Sequence, residues 1–392
     1  MIDNFKKFQA QTTNYPLGIE VTRAKGSYVY DRKKKYLDLV AGVSVQNLGH
    51  CNNELNESIK NQINKYSHVM VYGEFIQKPS LQLCELLNQI LPKNLNSTYL
   101  TNSGTEAIEA ALKLAKRVTG KTRIISALNS YHGSTHGSMS VSGFEQRKRA
   151  YRPLLPNINF IKFNSEKDIE KINDNTCCVI LETIQGGAGF IQPKENYLKK
   201  ISKRCKEVGA ILILDELQTG LGRTGKMFAF QHYGISPDIL VLGKSLGGGF
   251  PIGAMISDLS LMNKLKSNPI LGHITTFGGH PVISQAGLTT LKITLRDKLH
   301  EKAKISGYKF KTKLKHPGII EIRGKGLMLA LILKSNELAK KLVIKCLEKG
   351  LILFWLLYES KAVRITPPLN ISEKEIAVAC DIILKTLDEI SN

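Results

Sequence analysis

The sequence predicts an α/β fold with a mostly parallel central sheet and a smaller α+β part. The main evidence is a pair of short apolar runs, at residues 211–214 and 238–242, which are typical of buried strands in a parallel sheet. They start about thirty residues apart, roughly the size of one βαβ unit. The chain has 392 residues, which is enough for two domains with a large core.

Polar side chains with complementary chemistry follow these two strands. Asp215 ends the first run, and Gly243-Lys244 follows the second. The carboxyl ends of parallel strands share one edge of the sheet, and ligands lie in the crevice there. A lysine amine can form a Schiff base with an aldehyde, and an acid beside it can hold a protonated pyridine nitrogen. The sequence therefore predicts a site for pyridoxal phosphate (PLP), with Lys244 and Asp215 as its catalytic residues.

Two glycine motifs in the same stretch point to other ligands, but each lacks its required context. Residues 220–225 read G-x-G-x-x-G, yet residues 215–219 separate them from the strand and no convincing helical pattern follows. Gly243-Lys244-Ser245 is similar to the end of a P-loop, but Asp238 stands where the first glycine is required. We therefore favour neither a dinucleotide nor a nucleoside triphosphate.

The composition indicates a cytoplasmic enzyme without a nucleic-acid or membrane partner. The net charge is +22, but the Lys and Arg residues are spread along the chain, as on an ordinary solvated surface. The positive field of the protein would also attract small acidic substrates. No apolar run approaches the roughly 18 residues of a membrane span, and no signal peptide is predicted. The seven cysteines contain no C-x-x-C pair, which favours a reducing compartment and no metal site.

Along the chain, residues 1–50 are predicted to be an arm with a strand pair at 28–31 and 36–39 around a Lys-rich turn. Helices are predicted at 53–66 and 80–91, the second beginning at a proline. His50 is interpreted as a packing histidine in preference to a residue of the cofactor entrance.

The turn after the predicted strand 98–101 is a candidate anion site. Ser103 and Glu106 form an S-x-x-E capping box for a helix that continues to Val118 and ends at Gly120. The start of a helix presents free N–H groups and the positive end of its dipole. Gly104 lets the backbone approach a ligand closely. On the motif alone, a capped helix without any ligand explains the pattern equally well.

The remaining elements alternate between strands and helices. Strands are predicted at 123–127 and 177–181, the first leading to Tyr131-His132-Gly133 and the second ending at Glu182. A helix is predicted at 194–208 and a long one from about Val282. The C-terminal part is predicted to contain three further helices, the last capped by Ser372 and Glu375, and strands at 319–323, 327–333, 351–355 and 363–366.

Taken together, these motifs resemble the class III, or omega, aminotransferases of PLP fold type I, and look closest to the acetylornithine and ornithine aminotransferase branch. The resemblance covers nearly the whole chain, from Gly26-Ser27-Tyr28-Val29-Tyr30-Asp31 to Arg364-Ile365-Thr366-Pro367-Pro368. It implies a large PLP-binding domain at 51–285. It also implies a small domain built from the arm, 1–50, and the C-terminal part, 286–392.

The resemblance also implies a role for each site residue. Lys244 holds PLP and moves a proton, Asp215 pairs with the ring nitrogen, and Arg364 binds a substrate carboxylate. The other residues that it places at the cofactor are Ser103, Gly104 and Thr105 at the phosphate, Tyr131 and His132 at the ring, Glu182 beside it, Gln218 at the ring oxygen, and Thr276. In such enzymes the segment 273–281 crosses to the partner subunit, so Thr276 implies an obligate homodimer with shared sites.

Three positions depart from the pattern of the relatives. Gly187 stands where ornithine-type and GABA-type enzymes carry a glutamate that pairs with the arginine matching Arg364. Ser134 stands where acetylornithine enzymes carry an arginine for the donor carboxylate, and the candidates to replace it are Arg147, Arg149 and Arg152. His280 stands where Asn is usual.

The predicted reaction is a ping-pong transfer of an amino group to an α-keto acid such as 2-oxoglutarate or pyruvate. The donor is an amino acid or an omega-amine, and an acetylornithine-like donor is one candidate. Aminomutase or racemase chemistry on the same scaffold is the alternative. A non-enzymatic nucleic-acid-binding protein is a remote one, disfavoured by the retained Lys244 and Asp215.

Overall fold

A computed structural model describes residues 1–391. Its strands are, in chain order, β1 (Arg23–Lys25), β2 (Tyr28–Tyr30), β3 (Lys35–Asp38), β4 (Ser97–Thr101), β5 (Arg123–Ala127), β6 (Ile158–Ile161), β7 (Thr176–Glu182), β8 (Ile211–Asp215), β9 (Ile239–Leu242), β10 (Gly253–Ser257), β11 (Ile319–Lys325), β12 (Met328–Leu333), β13 (Leu351–Ile352), β14 (Phe354–Trp355) and β15 (Ala362–Ile365).

The helices surround three separate sheets. They are α1 (Ile2–Phe8), α2 (Ala41–Ser44), α3 (Asn53–Ile63), α4 (Lys78–Ile90), α5 (Gly104–Thr119), α6 (His136–Val141), α7 (Tyr197–Val208), α8 (Leu259–Met262), α9 (Pro281–Arg296), α10 (Leu299–Lys313), α11 (Asn336–Glu348) and α12 (Glu373–Ser391). No helix within the described residues has the length and apolar character needed to cross a membrane.

The central sheet has seven strands in the order β4-β10-β9-β8-β7-β5-β6. The five strands from β9 to β6 pair in parallel, whereas β10 runs antiparallel to both β9 and β4. Every residue of β7 and β9 is buried, as expected for strands covered on both faces. The mostly parallel sheet of the prediction is therefore confirmed, and β6 and β10 are additions that the apolar pattern did not reveal.

Apolar residues of the central sheet divide between its two faces. Ile213 of β8 packs in the cluster that contains the apolar face of α5, whereas Leu212 and Leu214 pack in the cluster with α7 and α9. This division follows from the alternation of side chains along a strand. Because both faces are covered by helices, the open part of the sheet is its carboxyl edge.

The register of the sheet brings polar residues to that edge. Glu182 at the end of β7 pairs with Asp215 at the end of β8, and Asp215 pairs in turn with Val241 of β9. Lys244 follows β9 by two residues. The expected convergence of an acid and a lysine at one edge is confirmed.

Two smaller sheets lie outside the central one. One has the order β1-β2-β3-β13 and the other has the order β11-β12-β15-β14. The prediction of a single strand at 351–355 is wrong, because β13 pairs with β3 of the arm while β14 pairs with β15. The buried Leu353 lies between the two pieces. The arm and the C-terminal part are thus joined by hydrogen bonds, while the domain bounds stay a prediction.

The helix caps follow the sequence with one difference. Ser372 and Glu375 form the predicted reciprocal capping box. In α5, Ser103 Oγ accepts from the N–H of Glu106, but Glu106 accepts from the N–H of Asn102 instead of that of Ser103. The carboxylate therefore fixes the residue before the cap, which orients the whole turn that begins α5.

Candidate active site

Lys244 lies at the floor of a cleft at the carboxyl edge of the sheet, with about 510 Å³ of open space. The residue has φ 44° in the left-handed region, which costs an ordinary residue about 1 kcal/mol or more. Burial lowers the pKa of its amine, although the charges of Asp215 and Glu182 oppose that change. A lowered pKa leaves more of the amine neutral, and the neutral amine is the form that attacks an aldehyde.

Asp215 lies on the same cleft and its carboxylate is held from two sides. Its side chain is 4% exposed. Nδ1 of His132 lies 2.7 Å from Oδ2, and the N–H of Leu217 donates to Oδ1 at 2.9 Å. Nε2 of His132 is buried and has no hydrogen-bond partner among the described residues. The carboxylate is therefore fixed in place by protein donors, and Asp215 lines the cleft.

Glu182 organises the loops on the other side of Asp215. Its two carboxylate oxygens accept from the N–H groups of Tyr131 at 3.0 Å and of Gly186 at 2.8 Å. Burial raises the pKa of this carboxyl to about 7, with His132 opposing the rise and Asp215 adding to it. Tyr131 lies in the loop after β5, and Glu182 therefore fixes the position of that predicted ring-stacking residue.

The arm supplies a residue that sequence reasoning missed. Nε2 of Gln218 donates to Oγ of Ser44 at 3.1 Å, and Val43 lines the cleft beside them. Residues 41–44 all have positive φ, from 51° to 65°. A β-branched residue such as Val43 rarely adopts this conformation. No local motif predicts a left-handed turn of this kind, so the sequence offered no signal for Ser44.

The predicted phosphate turn lies directly behind the cleft floor. A Cβ atom added at Gly104 would lie 2.5 Å from Cδ2 of Leu217, and Gly104 also approaches the backbone of Gly243. The start of α5 therefore lies between Leu217, which closely follows Asp215, and Gly243, which precedes Lys244. The N–H groups of Gly104 and Thr105 fall in the first helical turn, where no intrahelical acceptor exists. The hydroxyls are engaged, that of Ser103 as the cap and that of Thr105 with Ser138 at 2.6 Å.

Arg364 completes the cleft from β15. The residue is 5% exposed, and burial lowers the pKa of its guanidinium to about 10. Nε donates to the carbonyl oxygen of Trp355 at 3.1 Å, whereas the buried Nη1 has no hydrogen-bond partner among residues 1–391. An unpaired buried guanidinium N–H is costly unless a ligand or water satisfies it. This geometry suits a group that binds a carboxylate.

The cleft brings together most of the predicted site residues, but not all of them. It is lined by Tyr131, Glu182, Asp215, Gln218, Lys244 and Arg364. Ser103, Gly104, Thr105 and His132 stand behind this lining. Thr276 lies on an exposed loop and is not part of the lining in a single chain. Leu357 and Thr219 line the cleft without having been predicted, since nothing in their local sequence distinguishes them.

His50 takes a structural position, as interpreted. Its Nε2 lies 2.9 Å from Oδ2 of Asp38, and Oδ1 of Asp38 accepts from the N–H groups of Val40 and Ala41. The histidine therefore supports the turn that leads to Val43 and Ser44, and it does not line the cleft.

Comparison with known proteins agrees with this geometry. Residues 8–387 match the family model described as aminotransferase class III. The chain is 37% identical over 386 residues to an acetylornithine aminotransferase of Archaeoglobus fulgidus, covering 98% of this chain and 99% of that protein. It is also 37% identical over 385 residues to a putrescine aminotransferase of Pectobacterium atrosepticum, covering 93% and 82%.

Solved structures agree with the same assignment. The ornithine aminotransferase of Toxoplasma gondii ME49 has a TM-score of 0.92 at 29% identity, covering 100% of this chain and 94% of that one. The omega transaminase of Pseudomonas jessenii in complex with PMP also has a TM-score of 0.92, at 28% identity, covering 99% and 98%. The family match, the PLP fold type I architecture and the cleft agree, and the chain belongs to the class III aminotransferases, transaminases that depend on PLP.

Proposed function

We propose that this cleft is the transamination site, with Lys244 and Asp215 as its catalytic residues. The observation that carries the proposal is that Lys244, Asp215 and Arg364 line the same cleft. Nη1 of Arg364 is buried there without a hydrogen-bond partner among the described residues. These groups fit PLP, since they offer an amine whose pKa is lowered by burial, a fixed carboxylate and, behind them, a helix start for a phosphate. The comparisons support transfer of an amino group over an aminomutase or racemase reaction.

The residues of the chain would divide the work as follows. Bound PLP supplies an aldehyde and a ring that withdraws electrons from the bonds of the substrate Cα. Asp215, oriented by His132, keeps a proton on the ring nitrogen. The amine of Lys244 would hold the cofactor and would move the proton of the substrate Cα. Tyr131 would pack on the ring and Gln218 would bind its oxygen. Glu182 holds the Tyr131 loop, and Ser103, Gly104 and Thr105 would present the helix start to the phosphate.

Arg364 is proposed to bind the carboxylate of an amino acid or of an α-keto acid such as 2-oxoglutarate or pyruvate. A guanidinium can hold a carboxylate through two parallel hydrogen bonds. The donor is not fixed by similarity, because relatives with acetylornithine and putrescine in their names are both 37% identical to this chain. The cleft itself favours substrates with a carboxylate near the reacting carbon, because Gly187 provides no acid to neutralise Arg364.

Arg364→Gln is expected to raise the KM for 2-oxoglutarate or pyruvate about 10- to 100-fold, because each charge-assisted hydrogen bond contributes about 1.5–3 kcal/mol. Steady-state kinetics with the keto acid varied provide the measurement. Gln keeps much of the buried volume, so the fold should survive. Unchanged keto-acid kinetics would show that another residue binds the carboxylate of the keto acid.

We also propose that the enzyme is a cytoplasmic homodimer in which Thr276 reaches the partner's cofactor phosphate. Large apolar side chains around this segment are exposed in a single chain, including Ile76 at 90% and Ile270 at 78%. With Phe75 and Leu271 they border one surface cleft. A contiguous exposed apolar patch of this kind favours burial against a second copy. All seven cysteines are free, in keeping with a reducing compartment.

Mixing two inactive variants tests the shared site. Lys244→Ala and Thr276→Ala chains should form heterodimers with one site that carries both changes and one that carries neither. The intact site should restore wild-type PLP affinity and up to half of the activity of a wild-type dimer. Activity at limiting PLP, measured on heterodimers purified through two different tags, is the readout. Verified heterodimers without restored activity would show that Thr276 serves its own subunit.

A further inference from the structure

The glycine-rich loop after β8 encloses an arginine that the cleft itself does not use. Residues 220–225 carry the G-x-G-x-x-G pattern, and Arg223 lies in the middle of it. Gly222 and Gly225 have φ of 90° and 97°, in the region that favours glycine. The side chain of Arg223 is fully buried. The pattern therefore shapes a loop around a buried cation.

The guanidinium of Arg223 joins three parts of the chain. Nη1 donates to the carbonyl oxygens of Leu327 at 3.0 Å and of Pro367 at 2.6 Å, both in the C-terminal part. Nη2 donates to Oδ1 of Asn47 in the arm. The main chain adds a further bond, since the N–H of Leu327 donates to the carbonyl oxygen of Arg223 at 2.9 Å. One side chain thus connects the loop that follows Asp215 with the arm and the C-terminal part.

This arrangement of Arg223 is energetically costly. Its three acceptors are neutral oxygens, and its buried Nε has no hydrogen-bond partner among residues 1–391. Burial lowers the pKa of the guanidinium to about 9, so the group stays charged at neutral pH. A buried charge without an opposite charge costs on the order of several kcal/mol, and an apolar side chain of similar volume avoids that cost. The contribution of Arg223 therefore lies in the direction of its hydrogen bonds and not in added stability.

The C-terminal acceptors of Arg223 lie at the base of the strands that carry Arg364. Pro367 follows Arg364 by three residues, just after the end of β15. Leu327 immediately precedes β12, which pairs with β15 directly opposite Arg364. Both strands are therefore held at the same point, and a shift of the Arg223 guanidinium would be transmitted to Arg364.

The arm is held at the same junction through Asn47, which is buried. Nδ2 of Asn47 donates to the carbonyl oxygen of Leu221 at 3.0 Å, and its own carbonyl oxygen accepts from the N–H of Leu369 at 2.9 Å. Val43, four residues before Asn47, lines the cleft. The bond from Arg223 to Asn47 therefore also supports the left-handed turn at 41–44.

We propose that Arg223 is a positioning residue for transamination, which holds Arg364 where its guanidinium receives the substrate carboxylate while the reacting carbon lies at Lys244. This inference rests on the proposed function, since it takes Arg364 as the residue that binds the carboxylate. Arg223 does not line the cleft, so it acts through the backbone of β12 and β15. A misplacement of about 1 Å in a group that orients the substrate can cost about 100-fold in rate.

The experiment compares acceptors that differ only in the α-carboxylate. The pairs are pyruvate with acetaldehyde and 2-oxoglutarate with succinic semialdehyde. Enzyme loaded with pyridoxamine phosphate is mixed with each acceptor, and the absorbance of the bound cofactor gives kcat/KM for this half-reaction. The pair whose keto acid the wild type converts faster supplies the ratio of keto acid to aldehyde.

Arg223→Lys is the first variant, because lysine keeps the charge but cannot reach acceptors in all three places at once. We expect it to lower kcat/KM for the keto acid about 10- to 100-fold, mainly through a higher half-saturating concentration, while the aldehyde stays within about 3-fold. The ratio of keto acid to aldehyde should fall accordingly. A merely structural role would reduce the amount of active enzyme and leave this ratio unchanged.

Two further variants provide the control and a second test. Arg204 of α7 also donates to a main-chain carbonyl, that of Ile172 at 2.8 Å, and it does not line the cleft. Arg204→Lys should therefore keep the ratio within about 2-fold of wild type. Asn47→Ala removes one acceptor and leaves the guanidinium in place, so it should lower the ratio about 3- to 10-fold, as expected for one hydrogen bond. Asn47→Ala decides the question should Arg223→Lys not fold.

Hydrogen exchange provides a readout apart from activity. The N–H of Thr366 donates to the carbonyl oxygen of Leu39 at 2.7 Å, and the N–H of Leu369 donates to that of Asn47. Loosening of the junction in Arg223→Lys should raise exchange at these two N–H groups at least about 10-fold, whereas the strand that ends at Asp215 should exchange as in the wild type.

Each contrary outcome has a distinct meaning. An equal loss with keto acid and aldehyde overturns the inference, because loss of stability alone produces it, and the proposed function stands. A ratio that is unchanged in both Arg223→Lys and Asn47→Ala overturns the inference in the same way. If Arg364→Gln keeps the wild-type ratio, Arg364 does not bind the α-carboxylate, and the inference falls together with that part of the proposed function.

Discussion

Lys244→Ala is expected to abolish covalent attachment of PLP and to reduce transamination at least about 1,000-fold, since positioned acid–base groups alone contribute about 10²–10⁴. The physical reason is that the cleft is lined by one lysine among the described residues. Borohydride reduction followed by mass spectrometry of peptides measures the attachment directly. In the wild type the added mass should lie on the peptide that contains Lys244.

Lys148 is the matched control for this prediction. It is buried, and burial lowers the pKa of its amine, as it does for Lys244. However, its Nζ donates to the carbonyl oxygen of Ser142 at 2.7 Å and lies 4.1 Å from the ring centroid of Phe160, away from the cleft lining. Lys148→Met should therefore keep the attachment at Lys244. A reducible adduct that persists in Lys244→Ala would show that another amine holds the cofactor.

The positions of Lys244 and Asp215 were predictable because they depend on a strong local pattern. Continuous apolar runs predict buried parallel strands, and the ends of such strands meet at one edge. The resulting register, with Glu182 beside Asp215, needs no knowledge of distant contacts. The capped start of α5 was predictable for the same reason, since Ser103 and Glu106 lie within one helical turn.

Val43 and Leu357 could not be predicted, because loops carry them to the cleft. Val43 lies in a left-handed turn held by Asp38 and His50, and Leu357 precedes Tyr358, whose ring stacks on Phe144, more than two hundred residues away in the chain. The split of residues 351–355 between two sheets has a similar origin. Whether Leu351 pairs with Leu37 or with a neighbour in sequence is decided by tertiary packing.

Asp215→Asn should still bind PLP but lose about 100- to 1,000-fold in kcat, in the range found when one preorganised electrostatic group is removed. The amide has the shape of the carboxylate, so the contacts with His132 and the N–H of Leu217 can persist in part. It carries no negative charge, so it cannot hold a proton on the ring nitrogen. The measurements are cofactor stoichiometry from absorbance and kcat per bound cofactor.

Glu216 provides the control, because it is the next residue in the chain and is also a buried acid. Its oxygens accept from the N–H groups of Ala229 and Phe230 and from the hydroxyl of Thr183, and they do not line the cleft. Glu216→Gln should lower the thermal midpoint of unfolding while kcat per bound cofactor stays near wild type. Asp215→Asn should instead leave the thermal midpoint near that of the wild type and lower kcat per bound cofactor. If it instead turns over normally with PLP bound, the ring nitrogen does not need this carboxylate, and Asp215 acts mainly by positioning His132.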